Sequence, residues 1–348
     1  MYTKFKGIKI AGISSGLPAQ ARTITELTNG LIDEKRAKRL IKATGFKKLR
    51  LSKHKELTSD YCVAAAEKIF KDLNFNRDKI DGFVFITQTM DYIIPATSHV
   101  MQERLKLSND IVAVDVIQGC SGYVYGLYLG AMMISSGSCK NVLICCGDVH
   151  NFDPEKAAHN NVSMIFGDAG TATLLTVGED EIAFNIKTYG EKHQALICKR
   201  SGRRYPKLSE FDPAATPELL KENDTFMDGL AIVEFSMNEV PSDINYLLEK
   251  EHLTVDDIGV FAVHQANKLI VNSLAEKLGV NYDKVPFYAS EIGNTSSASI
   301  PVFFSRLDDL KQYDLRKSCL CGFGVGLSVA AAICNLSDTK FLGSVEFD

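Results

Sequence analysis

The stretch Asp115-Val116-Ile117-Gln118-Gly119-Cys120-Ser121-Gly122, continuing as YVYGLYLGAMMISSG to Gly137, decides how this chain folds. From Val116 to Cys139 there is no charged residue, a length that could cross a bilayer, but Gln118, Gly119, Ser121 and Gly122 interrupt it with turn chemistry. It therefore reads as a strand, a sharp turn and a helix. Because the helix bears no charge on any face, other elements must cover it on every side. Outward from it, the runs Gly82 to Thr87, Ile111 to Ile117, Val142 to Cys146, Thr171 to Val177, Val260 to Val263 and Leu327 to Ile333 read as strands. Ser59 to Leu73, Ser121 to Ser135, Ala231 to Glu249, Asn267 to Leu278 and Ser299 to Leu310 read as helices. Such alternation is the mark of an α/β protein.

The 348 residues allow two or three modules, or one duplicated architecture. Two pairs of segments echo each other: IDGFVFITQ (80–88) with DIGVFAVHQ (257–265), and FGDAGTATLL (166–175) with FGVGLSVAAA (323–332). These suggest two similar halves, 1–178 and 179–348, meeting near Gly178. Hydrophobic residues make up 45% and charged residues 24%, which excludes a disordered or fibrous chain. A formal charge of -4 argues against nucleic-acid binding by counterion release. The nine cysteines are odd in number and irregularly spaced, and MYTKFKGIKIAG at the start holds no cleavable apolar leader, so the expected compartment is the reducing cytoplasm, without a membrane span. No C-x-x-C pair occurs, and no metal site is expected.

Cys120 falls between a strand ending and the buried helix, so its thiol stands at a helix N-terminus, where unpaired N–H groups and the dipole favour thiolate. Gly119 and Gly122 flank it, as a side chain carried on a tight strand-to-helix turn requires. Buried structural cysteine is the competing reading. His264 follows the apolar run Gly259 to Val263, at the C-terminal end of a strand, where open α/β sheets present ligands. Asn294 lies in a loop of small polar residues, where Asn also serves as cap or turn. Cys321 to Leu327 is a glycine-rich turn without the Lys-Ser/Thr of a phosphate loop, and it feeds a strand.

VIQGCSGYVYGL (116–127), FGDAGTATLL (166–175), VHQANK (263–268), GNTSSASIP (293–301) and GFGVGL (322–327), in this order, resemble the β-ketoacyl-acyl-carrier-protein synthase III family of the thiolase superfamily. The similarity runs to about Ile333, and the tail after Asn335 looks like an addition. The resemblance implies a duplicated thiolase-like fold with five layers, αβαβα, a homodimer, and a condensing enzyme with Cys120, His264 and Asn294 as its triad. It implies that an acyl group from acyl-CoA or an acyl-carrier thioester is loaded on Cys120 and then condensed with malonyl-ACP, with loss of carbon dioxide. The backbone N–H groups of Cys120 and Val325 would hold the first oxyanion, and His264 Nε2–H with the Asn294 amide would hold the enolate. Phe323 would exclude water. No permanently bound cofactor is implied.

Three departures from the family pattern bear on specificity. Primer-CoA binders of the family usually carry Glu-Trp-Ile and Arg-Thr-Gly near residue forty; here Arg39-Leu40-Ile41-Lys42-Ala43-Thr44-Gly45 stands there, and the chain has no Trp. Residues 35–55 instead hold ten Lys or Arg, an attraction for CoA phosphates or the acidic helix of an acyl carrier protein, or simply a solvated face. Leu269 occupies the usual carrier-docking Arg position, with Lys268 one step earlier. Ile94, before Pro95, replaces the usual aromatic at the acyl pocket, which predicts room for a primer bulkier than acetyl. Rival readings are a type III polyketide synthase using CoA esters, a non-catalytic partner subunit, and a Cys-His-Asn hydrolase.

Overall fold

The computed structural model describes residues 1–53, 55–150 and 152–347. Among them nine strands join one hydrogen-bonded sheet: β1 (Tyr2–Pro18), β2 (Gly82–Ile86), β3 (Val112–Val116), β4 (Asn141–Asp148), β5 (Ala169–Thr188), β6 (Val260–Val263), β7 (Ser318–Gly324), β8 (Ser328–Cys334) and β9 (Lys340–Phe347). The helices that matter for the site are α1 (Glu34–Thr44), α2 (Thr58–Asp72), α3 (Thr97–Arg104), α4 (Gly122–Ser135), α5 (Gly229–Lys250), α6 (Lys268–Leu278) and α7 (Ser299–Phe304).

One succession of pairings occurs twice. β2 runs parallel to β4, β4 antiparallel to β5, and β5 antiparallel to β1. In the same way β6 runs parallel to β7, β7 antiparallel to β8, and β8 antiparallel to the end of β5. The long strands β1 and β5 serve both half-sheets. They bend where the register shifts between Lys6 and Ile8, at Gly7, whose φ of 75° suits a residue without Cβ.

Side-chain alternation along these strands builds the layers. Val84 and Ile86 of β2, Ile144 of β4, Ala262 of β6, Leu320 of β7 and Ala332 of β8 point to one shared core around α4 and α7. Their neighbours point the opposite way. Phe83, Phe85, Leu143 and Cys145 meet α2 and Met101 of α3, whereas Phe261, Val263, Cys319 and Val329 meet α5 and α6. The order is therefore helix, half-sheet, central helices, half-sheet, helix, and α4 occupies the buried middle that its uncharged sequence demands.

Three elements differ from the sequence reading. The opening strand β1 is absent from it. The tail after Asn335 is no appendage, because β9 pairs parallel with β1 from Gly12 opposite Lys340 to Pro18 opposite Phe347. Its half-exposed, glycine-interrupted KFLGSVEF gives little apolar alternation to read. The helix expected over Ser299 to Leu310 stops at Phe304, where Ser305 and Arg306 donate to carbonyls three residues back, and a separate turn of helix covers Leu307–Leu310.

Candidate active site

The loops at the C-terminal ends of β2, β3, β4 and β6 meet the turn that follows β7. Cys120 lies one residue before the cap of α4, with the Gly122 N–H donating to Gly119 O at 2.7 Å to close the turn. The Gln118 amide donates to Ser121 Oγ at 2.8 Å and to Ser328 Oγ at 3.1 Å, tying this turn to the start of β8. The glycine turn lies directly against the sulfur: a Cβ on Gly324, whose φ is 148°, would stand 3.0 Å from Cys120 Cβ and 3.1 Å from Sγ. A Cβ on Gly322 would come within 2.6 Å of Ser121 Cα. At Gly322 contact alone excludes a Cβ, and at Gly324 the contact and the positive φ both call for glycine.

Burial pushes the Cys120 thiol up to about 12, and the neighbouring Asp148 charge pushes the same way. Hydrogen bonding from the backbone of Val325 and of Cys120, and from the Ser296 hydroxyl, opposes this. Val325 lies over the nearby turn, its Cγ1 against the place where a Cβ on Gly119 would stand.

His264 and Asn294 reach the same place from the other half. The His264 N–H donates to Cys321 O at 2.8 Å, fixing the residue beyond β6, and its ring stands edge-on to Phe323 at 5.5 Å between centroids. Fully buried, the imidazole is held neutral, its pKa lowered to about 3 by desolvation, with a small opposing effect of the Ser296 backbone. Its Nδ1 is 2.8 Å from Ser299 Oγ, which also lies 3.0 Å from Ser296 O. Asn294 is clamped by its backbone, its N–H donating to Ile165 O at 2.8 Å and its carbonyl accepting from Gly167 at 3.0 Å. Its Oδ1 accepts from the Ser296 N–H at 2.9 Å, which leaves the amide nitrogen for another partner.

Ser296 thus joins Asn294 directly and His264 by way of Ser299, and it sits at a φ of 51°, a conformation costly for a residue with Cβ. Sequence reasoning missed it, along with Ser299 and Asp148. Asp148 ends the apolar run of β4 as His264 ends that of β6, and the same rule about strand C-termini marks both. Nearby, His150 stacks on Phe166 at 4.7 Å and its ring Nδ1 is 3.1 Å from Asp168. Among the described residues no cluster of His, Cys, Asp and Glu is arranged to hold a metal ion.

The residues named for the pocket and for docking part company. Phe323 is at the site, but Ile94 is 85% exposed, beside exposed Tyr92 and Ile93. Arg39 lines a surface depression on α1 with Glu34, Lys35, Lys38 and Lys42. Lys268 is exposed at the start of α6, its Cβ at 2.5 Å from where a Cβ on Gly45, the cap of α1, would stand, so both helices contribute to one basic flank.

Residues 114–190 match the family model for 3-oxoacyl-[acyl-carrier-protein] synthase III, and residues 248–336 match its C-terminal model. A β-ketoacyl-[acyl-carrier-protein] synthase III of Streptococcus gordonii is 30% identical, over 93% of this chain and 97% of that one. The chain belongs to this family. The corresponding enzyme of Lactobacillus helveticus is 28% identical over 95% of this chain and 99% of its own. A 3-oxoacyl-(acyl-carrier protein) synthase from Burkholderia xenovorans superposes with a TM-score of 0.90 at 32% identity, covering 100% of this chain and 99% of that one. The fold is thiolase-like, and the protein is a synthase III-like condensing enzyme, an acyltransferase.

Proposed function

We propose that Cys120 accepts an acyl group from a thioester and that His264 and Asn294 then stabilise the enolate formed when a malonyl thioester loses carbon dioxide, giving a 3-oxoacyl thioester. The approach of Cys120 to the Phe323-Gly324 turn, against which His264 also packs, with Asn294 tied to His264 through Ser296 and Ser299, carries this reading. In the first step the N–H groups of Cys120 and Val325 stabilise the tetrahedral oxyanion. In the second, a neutral imidazole is required, because an imidazolium would hold the malonyl carboxylate in place instead of letting it leave. Donation by Nε2–H requires that the Ser299 hydroxyl give its proton to Nδ1 and not to Ser296 O. The Asn294 amide, its oxygen already engaged, can only donate. Each such donor is worth roughly 2.7–4 kcal/mol.

The labour divides between the halves, 1–178 bringing the nucleophile and 179–348 the two enolate donors. Malonyl-ACP is the proposed extender and an acyl carrier protein the partner, drawn to the flank of Arg39, Lys42 and Lys268. Primers arrive as acyl-CoA or acyl-ACP, and the reaction asks for no resident cofactor. A homodimer is favoured by β3, which ends the strand order and leaves Val112, Val114 and the following Ile117 exposed. A second copy would also cover Ile94 and make it part of an acyl pocket. Nine free cysteines support a reducing, cytoplasmic setting, and among the described residues no helix is long and apolar enough to cross a membrane.

Intact-protein mass spectrometry after exposure to acetyl, branched and longer-chain CoA and carrier thioesters tests the reading. An acyl adduct is expected on the wild-type chain and none on Cys120→Ala. An adduct persisting in that variant places the nucleophile elsewhere.

A further inference from the structure

The chain that leaves β4 runs on from Asp148 to a histidine that neither the triad nor the core uses. Asp148 Oδ1 accepts from the Gln88 N–H at 2.7 Å and the Val149 N–H donates to Thr89 Oγ1 at 3.1 Å, which binds this strand end to the loop of residues 87–89. That loop adjoins the nucleophile's turn, with Gln88 Oε1 2.5 Å from where a Cβ on Gly119 would stand. His150 follows, its ring stacked on Phe166 at 4.7 Å between centroids and 21° between planes. Phe166 in turn pairs with Asn294: the Asn294 N–H donates to Ile165 O and the Gly167 N–H to Asn294 O, one bond on each side of Phe166. His150 therefore stands beside the floor, between the loop next to Cys120 and the segment paired with Asn294.

Its ring is aimed from behind. Asp168, fully buried, accepts from the His150 N–H at 2.8 Å and faces Nδ1 at 3.1 Å, both through Oδ1, while its Oδ2 accepts from the Ser52 N–H and hydroxyl at 2.8 Å each. Donors engage both oxygens, so Asp168 serves as acceptor, Nδ1 carries the hydrogen, and Nε2 is the outward edge. The side chain keeps 30% of its surface exposed, and among the described residues the ring bonds only through Nδ1. Burial opposes protonation of this ring, but the Asp168 hydrogen bond and the charges of Asp168 and Asp148 outweigh it and hold the pKa above its ordinary value. Two carboxylates beside one imidazole make the place unfavourable for a further anion. An unsubstituted acyl chain laid on Nε2 would strip it of water and give nothing back. A hydroxyl suits it in either charge state, donating to the neutral ring and accepting from the imidazolium. We propose that His150 selects an acyl primer bearing a hydroxyl group, Nε2 bonding that hydroxyl while the acyl carbon is held on Cys120.

The proposal rests on Cys120 as the acyl acceptor of the reading above, but its test needs no condensation. The protein is offered pairs of N-acetylcysteamine thioesters that differ only by the hydroxyl: butanoyl with 3-hydroxybutanoyl, octanoyl with 3-hydroxyoctanoyl, and octanoyl with 8-hydroxyoctanoyl. The members of each pair compete at equal concentration, and intact-protein mass spectrometry gives the ratio of the two adducts. His150→Phe keeps a ring to stack on Phe166 and His150→Leu does not, but both remove the nitrogen, so their ratios set the intrinsic preference of each pair. The wild type is expected to exceed both in favour of the hydroxyacyl adduct by about tenfold in at least one pair, the worth of one good hydrogen bond. Wild-type ratios that match either variant in every pair would overturn the proposal and leave acylation of Cys120 standing. No adduct from any thioester would remove that reading and the proposal with it. A hydroxyacyl preference lost in both variants, in a protein that condenses no malonyl thioester, would leave the proposal standing and remove the condensing step.

Discussion

The floor of the active site and the basic flank beside it are built on opposite terms. On the floor, His264 and Asn294 are fixed by backbone hydrogen bonds to other elements, the Cys120 turn is closed by its own Gly122–Gly119 bond, and glycines at 322 and 324 stand where a Cβ would crowd that turn. On the flank, α1 buries only Ala37 fully, and Lys35, Arg39, Lys42 and Lys268 make no ion pair among the described residues. Where neighbours constrain every atom, residue type tells chemistry. Where solvent is the neighbour, the same charges suit any anion, and only a binding partner distinguishes them.

The sharpest way to break this comparison is to remove one enolate donor. His264→Ala or Asn294→Ala should lower malonyl decarboxylation and condensation by roughly 10²–10³-fold, while acylation of Cys120 by a small thioester stays within a few-fold of wild type. Radiolabelled carbon dioxide release and intact mass, measured side by side, give the two rates. Equal loss in both would mean that these side chains merely hold the floor together.

Ser299 offers a finer cut. Ser299→Ala removes the group that selects the His264 tautomer, and a loss of about tenfold in decarboxylation is expected, with acylation unchanged. The pH dependence carries the sign. With its pKa lowered to about 3, His264 stays neutral through the working range, so no loss of decarboxylation is expected from its protonation as pH falls toward 5. For folding the sign is reversed: the unfolded chain binds the proton near its ordinary pKa and the folded chain does not, so His264 costs stability progressively as pH drops below about 6.5. An acid limb in decarboxylation that vanishes in Ser299→Ala would show that the imidazole titrates where a buried ring should not.

The difference between floor and flank also explains what the sequence could and could not say. The α4 sequence is uncharged because two half-sheets enclose it, so its burial is legible without coordinates. Cys120, His264 and Asn294 stand out in the sequence because the first sits in a glycine-flanked turn, the second closes an apolar run and the third lies in a loop of small polar residues. Asp148 closes an apolar run as His264 does but reads alone as a charge after a strand, and only the structure shows it buried and bonded to Thr87, Gln88 and Thr89. Ser296 is hidden among the serines of GNTSSAS, since a positive φ leaves no trace in composition. β1 and β9 escape because their pairing joins the two ends of the chain, a contact that local periodicity does not encode. Ile94 is of another kind: it stands exposed, away from the buried floor, and nothing along one chain says what covers it.

The smallest effect belongs to the flank. Reversing Lys35, Arg39 and Lys42 together to Glu should raise the KM for a malonyl group carried on an acyl carrier protein by roughly 3–10-fold, because exposed charges act singly and weakly and are screened by salt. The same variant should acylate from a small thioester at the wild-type rate, since α1 touches none of the groups around Cys120. Added salt should narrow the gap between variant and wild type, the wild type losing affinity while the variant holds steady. If the KM does not move, the flank is a solvated face and carrier docking depends on Lys268 or on other residues. If acylation from the small thioester falls as well, α1 supports the floor, and the separation between constrained interior and permissive surface does not hold.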